Sequence, residues 1–315
     1  LVEWNRNGHA PNHWPPNREH GELTPVSGKC KLVLFFCFVT LWSTLQEIAV
    51  MAPARFITPA ELVNLGNDPE VLIIDCRFDL NQPDWGQTQY QTGHVPGAFY
   101  LDLNRDLSGA VGQQGGRHPL PDVQTLTAKL NNMGFTPHTL VVAYDQGRLA
   151  YAARLWWLLR YLGHERVALL NGGWDAYLQG SYPVSDQIPS PRPGCFTPTL
   201  QPQYLASRED VIAAQHHPFT LLVDARESRR YRGEWEPIDP VAGHIPGAVN
   251  LPWLDLLPPQ PYAQRWQAIY REKTQEVICY CGSGVTACVN LLTLEWAGYP
   301  PGRLYVGGWS EWCRS

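Results

Sequence analysis

The chain repeats itself, and that repetition limits its fold more than any other feature. Val71-Leu72-Ile73-Ile74-Asp75-Cys76-Arg77 returns 149 residues later as Thr220-Leu221-Leu222-Val223-Asp224-Ala225-Arg226. Gly93-His94-Val95-Pro96-Gly97-Ala98 returns at an offset of 150 as Gly243-His244-Ile245-Pro246-Gly247-Ala248. Leu140-Val141-Val142-Ala143-Tyr144-Asp145 aligns with residues 276–281 at an offset of 136, and Gly172-Gly173-Trp174 with Gly307-Gly308-Trp309 at 135. A helix-start signal, Thr58-Pro59-Ala60-Glu61, is matched by Ser207-Arg208-Glu209-Asp210. Chance does not readily supply five matches in one order. The fall in offset marks an extra Gly- and Pro-rich loop at 109–121 in the first copy.

Each copy reads as helix, apolar strand, Gly-His-x-Pro-Gly-Ala turn, helix, apolar strand, loop, helix, short strand and Gly-Gly-Trp. Short apolar strands alternating with helices specify an α/β fold, each copy a parallel sheet covered by helices on both faces. Two tandem domains are expected, at 55–186 and 204–315, joined by a linker at 187–203. The stretch 182–204 around that linker carries six prolines and has no helical period. Ligands of such sheets sit at the carboxyl ends of the strands.

Cys281 falls at such an end. The run Val277-Ile278-Cys279-Tyr280 leads into Cys281-Gly282-Ser283-Gly284-Val285-Thr286-Ala287 and then a stretch compatible with a helix. A loop that opens a helix points backbone N–H groups inward and adds the positive end of the helix dipole, which favours an anion such as a thiolate. At the matching place in the first copy stands Asp145, so one thiol centre per chain is expected. The first domain is then read as a structural cover that can lend residues to the cleft.

Composition narrows the remaining possibilities. A formal charge of −5 gives no basic footprint for nucleic acid. Eight cysteines in 315 residues are not a disulfide scaffold, and they show no zinc spacing. No phosphate loop or dinucleotide fingerprint occurs, so neither a cofactor nor a metal is expected. The thirteen tryptophans, including Trp156-Trp157, read as packing in the core and between domains. Residues 1–54 lack the repeat and read as a leader, either disordered or a mis-called extension ahead of Met51. The uncharged run at 32–46 is too short to span a bilayer. The expected location is cytoplasmic and no membrane partner is expected; export or anchoring is the alternative if 29–50 is a targeting segment.

These residues resemble those of the tandem-domain rhodanese sulfurtransferases, a family that includes thiosulfate and 3-mercaptopyruvate sulfurtransferases. The resemblance covers about 55–315 and rests on the Cys281 loop, both Gly-His-x-Pro-Gly-Ala turns, Asp224-Ala225-Arg226 and Gly308-Trp309-Ser310-Glu311-Trp312. It implies two rhodanese-like domains, only the second catalytic. It also implies that Cys281 takes a sulfane sulfur from a small donor as a persulfide and yields it to cyanide, a small thiol or a thioredoxin-like acceptor. The backbone of Gly282, Ser283, Gly284, Val285 and Thr286 would cradle the charge, with the Thr286 hydroxyl donating at the helix start. Arg230 would grip the donor anion. Gly282 and Ser283 point to the mercaptopyruvate type, in which Ser283 joins a histidine and an aspartate of the first domain; His94 and Asp84 are the candidates. The presence of His244 at the place matching His94 also suits a turn brace. Ile238, after Glu236-Pro237, stands where that type offers a second arginine, so the donor stays open. Arg117-His118, in the extra loop, is read as surface.

Two competitors remain. A cysteine-dependent phosphatase needs an arginine six positions after its nucleophile, and Ala287 stands there. A persulfide carrier that does not turn over would use the same loop.

Overall fold

Branched and aromatic residues decide the strands, and the inner strands bury both faces. The computed structural model describes residues 55–66 and 68–314; the leader at 1–54 and the targeting reading of 29–50 lie outside them. In the first domain β1 (Arg55–Ile57), β2 (Val71–Asp75), β3 (Phe99–Tyr100), β4 (Leu140–Tyr144) and β5 (Val167–Leu170) form a parallel sheet in the order β1-β5-β4-β2-β3. In the second, β6 (Leu205–Ala206), β7 (Thr220–Asp224), β8 (Val249–Asn250), β9 (Glu276–Tyr280) and β10 (Arg303–Tyr305) repeat it as β6-β10-β9-β7-β8. The duplication thus extends to strand order. Both central strands, β4 and β9, pair in register with the strand carrying the Asp-x-Arg motif: Asp75 faces Tyr144, and Asp224 faces Tyr280.

The helices are α1 (Pro59–Leu65), α2 (Trp85–Thr92), α3 (Val123–Asn131), α4 (Ala150–Tyr161), α5 (Gly173–Gln179), α6 (Arg208–Ala214), α7 (Ser228–Tyr231), α8 (Tyr262–Ile269), α9 (Ala287–Trp296) and α10 (Gly308–Trp312). The helix-start signals become capping boxes: Thr58 and Glu61 at α1, Ser207 and Asp210 at α6, each satisfying two backbone N–H groups reciprocally. Alternate residues of each strand feed opposite layers. Val142 and Tyr144 pack with Leu62 of α1 and Trp174 of α5, whereas Val141 and Ala143 face α4.

α4 and α9 are buried nearly all round, as helices without a polar stripe must be. They pack against one another across the domain boundary, so one apolar core runs from Leu72 of β2 to Val306 beyond β10. Trp156 and Trp157 lie in it, and Arg160 of α4 is ion-paired to Glu295 of α9 at its edge. The linker does not hang free. Arg192 N–H donates to Asn132 O (2.8 Å), Cys195 N–H to Phe135 O (2.9 Å) and Thr199 N–H to Leu162 O (2.9 Å), which strap it along the first domain.

The Asp-x-Arg motif is scaffold in both copies. Arg77 donates to Asp75 and to Gly93 O (2.7 Å) and lies over Trp174 at 4.4 Å. Arg226 donates to Asp224 and to Gly243 O (2.7 Å) and lies over Trp309 at 4.8 Å. Each pair clamps a strand end to its Gly-His turn. Because Arg77 and Asp75 are both buried, Asp75→Asn leaves an uncompensated charge and should cost about 3–5 kcal/mol, read as a lowered urea midpoint.

Candidate active site

Cys281 follows β9 immediately and is 2% exposed, at the floor of a cavity of about 340 Å³. Gly282, Ser283, Val285, Thr286 and Arg230 line the same cavity. Gly284 sits in the left-handed region (φ 72°), and a Cβ there would lie 2.6 Å from Val306 O, so only glycine lets the loop turn against the strand beyond it. Trp309 N–H donates to Cys281 O (2.8 Å) and Ser310 N–H to Gly282 O (2.9 Å), which fixes the loop from its carbonyl side. Thr286 stands at the N-terminus of α9, makes no side-chain cap and lines the cavity.

The first-domain loop shows what such a cradle holds. Asp145 follows β4 as Cys281 follows β9, and Trp174 N–H donates to its carbonyl (2.8 Å) as Trp309 does to that of Cys281. Its carboxylate accepts from the N–H groups of Gly147, Arg148, Leu149, Tyr151 and Ala152 at 3.0–3.4 Å. Five N–H groups thus converge on one carboxyl and favour its charged form, while its burial pushes the pKa above the usual carboxylate value.

The expected His94–Asp84 relay is not assembled. His94 Nδ1 lies 2.7 Å from Tyr90 O, its Nε2 lies 3.1 Å from Gln187 O, and its ring stacks on Tyr90. His244 repeats this against Tyr231. Both histidines brace a turn, as the repeat requires. Asp84 is an exposed partner of Arg105 and does not line the cavity.

The extra loop of the first domain brings a different histidine to Ser283. His118, expected at the surface, is buried, and its Nδ1 lies 2.7 Å from Ser283 Oγ. No carboxylate is hydrogen-bonded to His118 among the described residues, so the relay has two members. Burial, followed by the nearby Arg154 and Arg117 charges, lowers His118 from its ordinary 6.5 to about 4. It is therefore neutral at neutral pH. The loop reaches it by close contact: a Cβ on Gly116 (φ 68°) would lie 2.3 Å from Gly307 O, and Arg117 N–H donates to Ser310 Oγ (3.1 Å).

Arg117 enters the cavity beside Arg230. A Cβ on Gly282 would meet Arg117 Nη2 at 2.8 Å and Arg230 Nη2 at 3.6 Å, so two guanidinium groups from different domains flank the residue after Cys281. Arg230 grips Glu236 (Nη2–Oε1 2.7 Å) and Asp239, and Arg117 is also paired with Asp239. These carboxylates hold both forks in place. The sequence signal for this arrangement was the loop present only in the copy without the thiol.

Comparison with known proteins now has a geometry to meet. The family model for the rhodanese-like domain matches residues 58–179 and again 207–315. The chain belongs to the rhodanese family. Among its rhodanese relatives, a probable 3-mercaptopyruvate sulfurtransferase of Pseudomonas aeruginosa is 44% identical, covering 83% of this chain and 96% of that one. The thiosulfate sulfurtransferase of Mus musculus is 33% identical, covering 81% of this chain and 89% of that one. Among solved rhodanese structures, the 3-mercaptopyruvate sulfotransferase SseA of Escherichia coli matches with a TM-score of 0.71 at 32% identity, covering 82% of this chain and all of that one.

The lowered His118 basicity carries a stability consequence for this rhodanese. Between pH 6.5 and about 4 the unfolded chain binds a proton that the folded chain does not, so stability falls as pH falls through that window. The loss should be on the order of 3 kcal/mol. Urea melts across the window should show a shallower slope in His118→Gln than in the wild type.

Proposed function

We infer that this rhodanese is a sulfurtransferase in which Cys281 takes a sulfane sulfur from a small anionic donor and hands it, as a persulfide, to a thiophilic acceptor. The carrying observation is the equivalence of Cys281 and Asp145: the twin loop stabilises a buried carboxylate through five N–H groups, and a persulfide anion needs the same. Phosphatase chemistry has no support, since Ala287 is buried, apolar and without a guanidinium.

The donor favoured is 3-mercaptopyruvate, with thiosulfate second. The Cys281 sulfur attacks the donor sulfur, an S–S bond forms and the donor's C–S bond breaks. The electron pair of that bond goes to carbon, which must collect a proton to leave as pyruvate. The donor thiol supplies that proton, and the Ser283–His118 pair at 2.7 Å can carry it because His118 is neutral. With thiosulfate the S–S bond breaks instead, sulfite departs with its electron pair and no proton is needed. Arg230 and Arg117 suit the donor carboxylate as a two-fork clamp. Arg117 thereby supplies from the first domain the guanidinium missing at Ile238, which lines the cavity as an apolar wall. The sulfurtransferase names of the Pseudomonas and mouse relatives agree with this reading. The acceptor thiolate then attacks the outer sulfur and releases Cys281 as the thiolate. A small thiol, cyanide or a thioredoxin-like protein fits that step, and the cytoplasm is the compartment in which a reduced Cys281 would persist.

Intact mass after each donor should show one added sulfur, lost in Cys281→Ser together with turnover; added sulfur without steady-state turnover would favour a carrier. His118→Gln should lower kcat/KM about a hundredfold with 3-mercaptopyruvate but less than about threefold with thiosulfate. Equal losses for the two donors would remove the proton-relay role.

A further inference from the structure

Arg154 is a charge without a counter-ion. Five arginines are buried among the described residues, and Arg77, Arg160, Arg226 and Arg230 each hold a carboxylate. Arg154, in α4, is 0% exposed; it donates to the carbonyl oxygens of Gly284 at 3.0 Å, His118 at 3.2 Å, Leu107 at 3.3 Å and Pro119 at 3.4 Å, and it also meets the Cys288 thiol. Its guanidinium lies 5.9 Å from the Trp157 ring centroid. A fully buried cation is costly unless an anion offsets it, and no carboxylate pairs with this one.

We propose that the counter-ion of Arg154 is the sulfur at Cys281 in its anionic states, and that the same guanidinium positions the relay by joining the catalytic loop to the His118 loop. The position supports this. Gly284 O, which takes its shortest bond, belongs to the left-handed turn three residues after Cys281, and His118 O belongs to the residue that meets Ser283. One side chain of the first domain thus holds both halves of the site from beneath. The thiols nearby divide cleanly. Burial pushes Cys288 up to about 12, and its Sγ donates to Gly284 O, so it stays neutral. Burial lowers Arg154, while negative charge on Cys288 or Cys281 acts the other way; only Cys281 has a reaction that makes it negative.

The repeat offers a control. At the offset of 136 that relates the central strands, Arg154 corresponds to Asn290 in α9. Asn290 is equally buried and neutral, and it donates to Leu251 O (2.8 Å). The helix facing the sulfur loop carries the charge, and its twin does not.

This role rests on Cys281 carrying the transferred sulfur, so its test needs a readout other than activity. Arg154→Gln should load sulfur about a hundredfold more slowly with KM for the donor nearly unchanged, and Arg154→Lys should recover to within about tenfold of wild type. A folded Arg154→Gln that loads at the wild-type rate, or Lys and Gln variants equally impaired, overturns the proposal. Independently, Cys281→Asp places in the second loop the carboxylate that Asp145 places in the first. It should melt about 3 °C above Cys281→Asn, and Arg154→Gln should remove most of that difference. If Arg154→Gln does not fold, the comparison in the unaltered background decides: an Asn chain melting at or above the Asp chain overturns the proposal. None of these melts depends on sulfur transfer, so they can fail while the Cys281→Ser result stands.

Discussion

The contact between α4 and α9 is the constraint on which the rest of the structure depends. Both helices are apolar nearly all round and cannot face water, so each domain must cover the other's. Once they are joined, the sulfur loop at the start of α9 lies against the first domain, and the loop at 109–121 can reach it. The site is therefore a product of docking. As proposed, it takes Cys281 and Arg230 from the second domain and His118 and Arg117 from the first, with Arg154 of the first bonded to Gly284 O behind them.

The duplication explains why the two halves are unequal. Identical scaffolding is kept where it holds the sheet: Asp-x-Arg, the Gly-His turn, the tyrosine that ends each central strand. The copies diverge where chemistry is done. Asp145 fills its own cradle permanently, which stabilises a loop that would otherwise aim N–H groups at nothing. The second loop leaves that place to sulfur, whose charge appears and departs. A carboxylate in one copy and a thiol in the other stand at matching places after the central strand.

The fold was readable from sequence because its determinants are local and doubled. Strand runs, capping boxes and glycine turns each lie within a few residues, and the second copy checks the first. The position of Cys281 was readable for the same reason. His118 was not, because it meets Ser283 across 165 residues and its neighbours Arg117 and Pro119 are typical of surface loops. The comparison of copies did contain the warning: His94 has a twin and His118 has none, and a residue needed only once should lack a counterpart. Arg154 was hidden differently. Beside Arg160 in a helix rich in Leu and Trp it looks like one more ionic edge, and only its burial and lack of a carboxylate set it apart.

The strapped linker has a consequence for traffic. A peptide pinned at Arg192, Cys195 and Thr199 is held to the first domain and does not lie across the cavity. The sulfur of Cys281 lines a cavity of about 340 Å³ and is almost out of reach of solvent. On the proposed function, the part of an acceptor that meets Cys281 is narrow enough to enter that cavity, whatever the size of the molecule behind it.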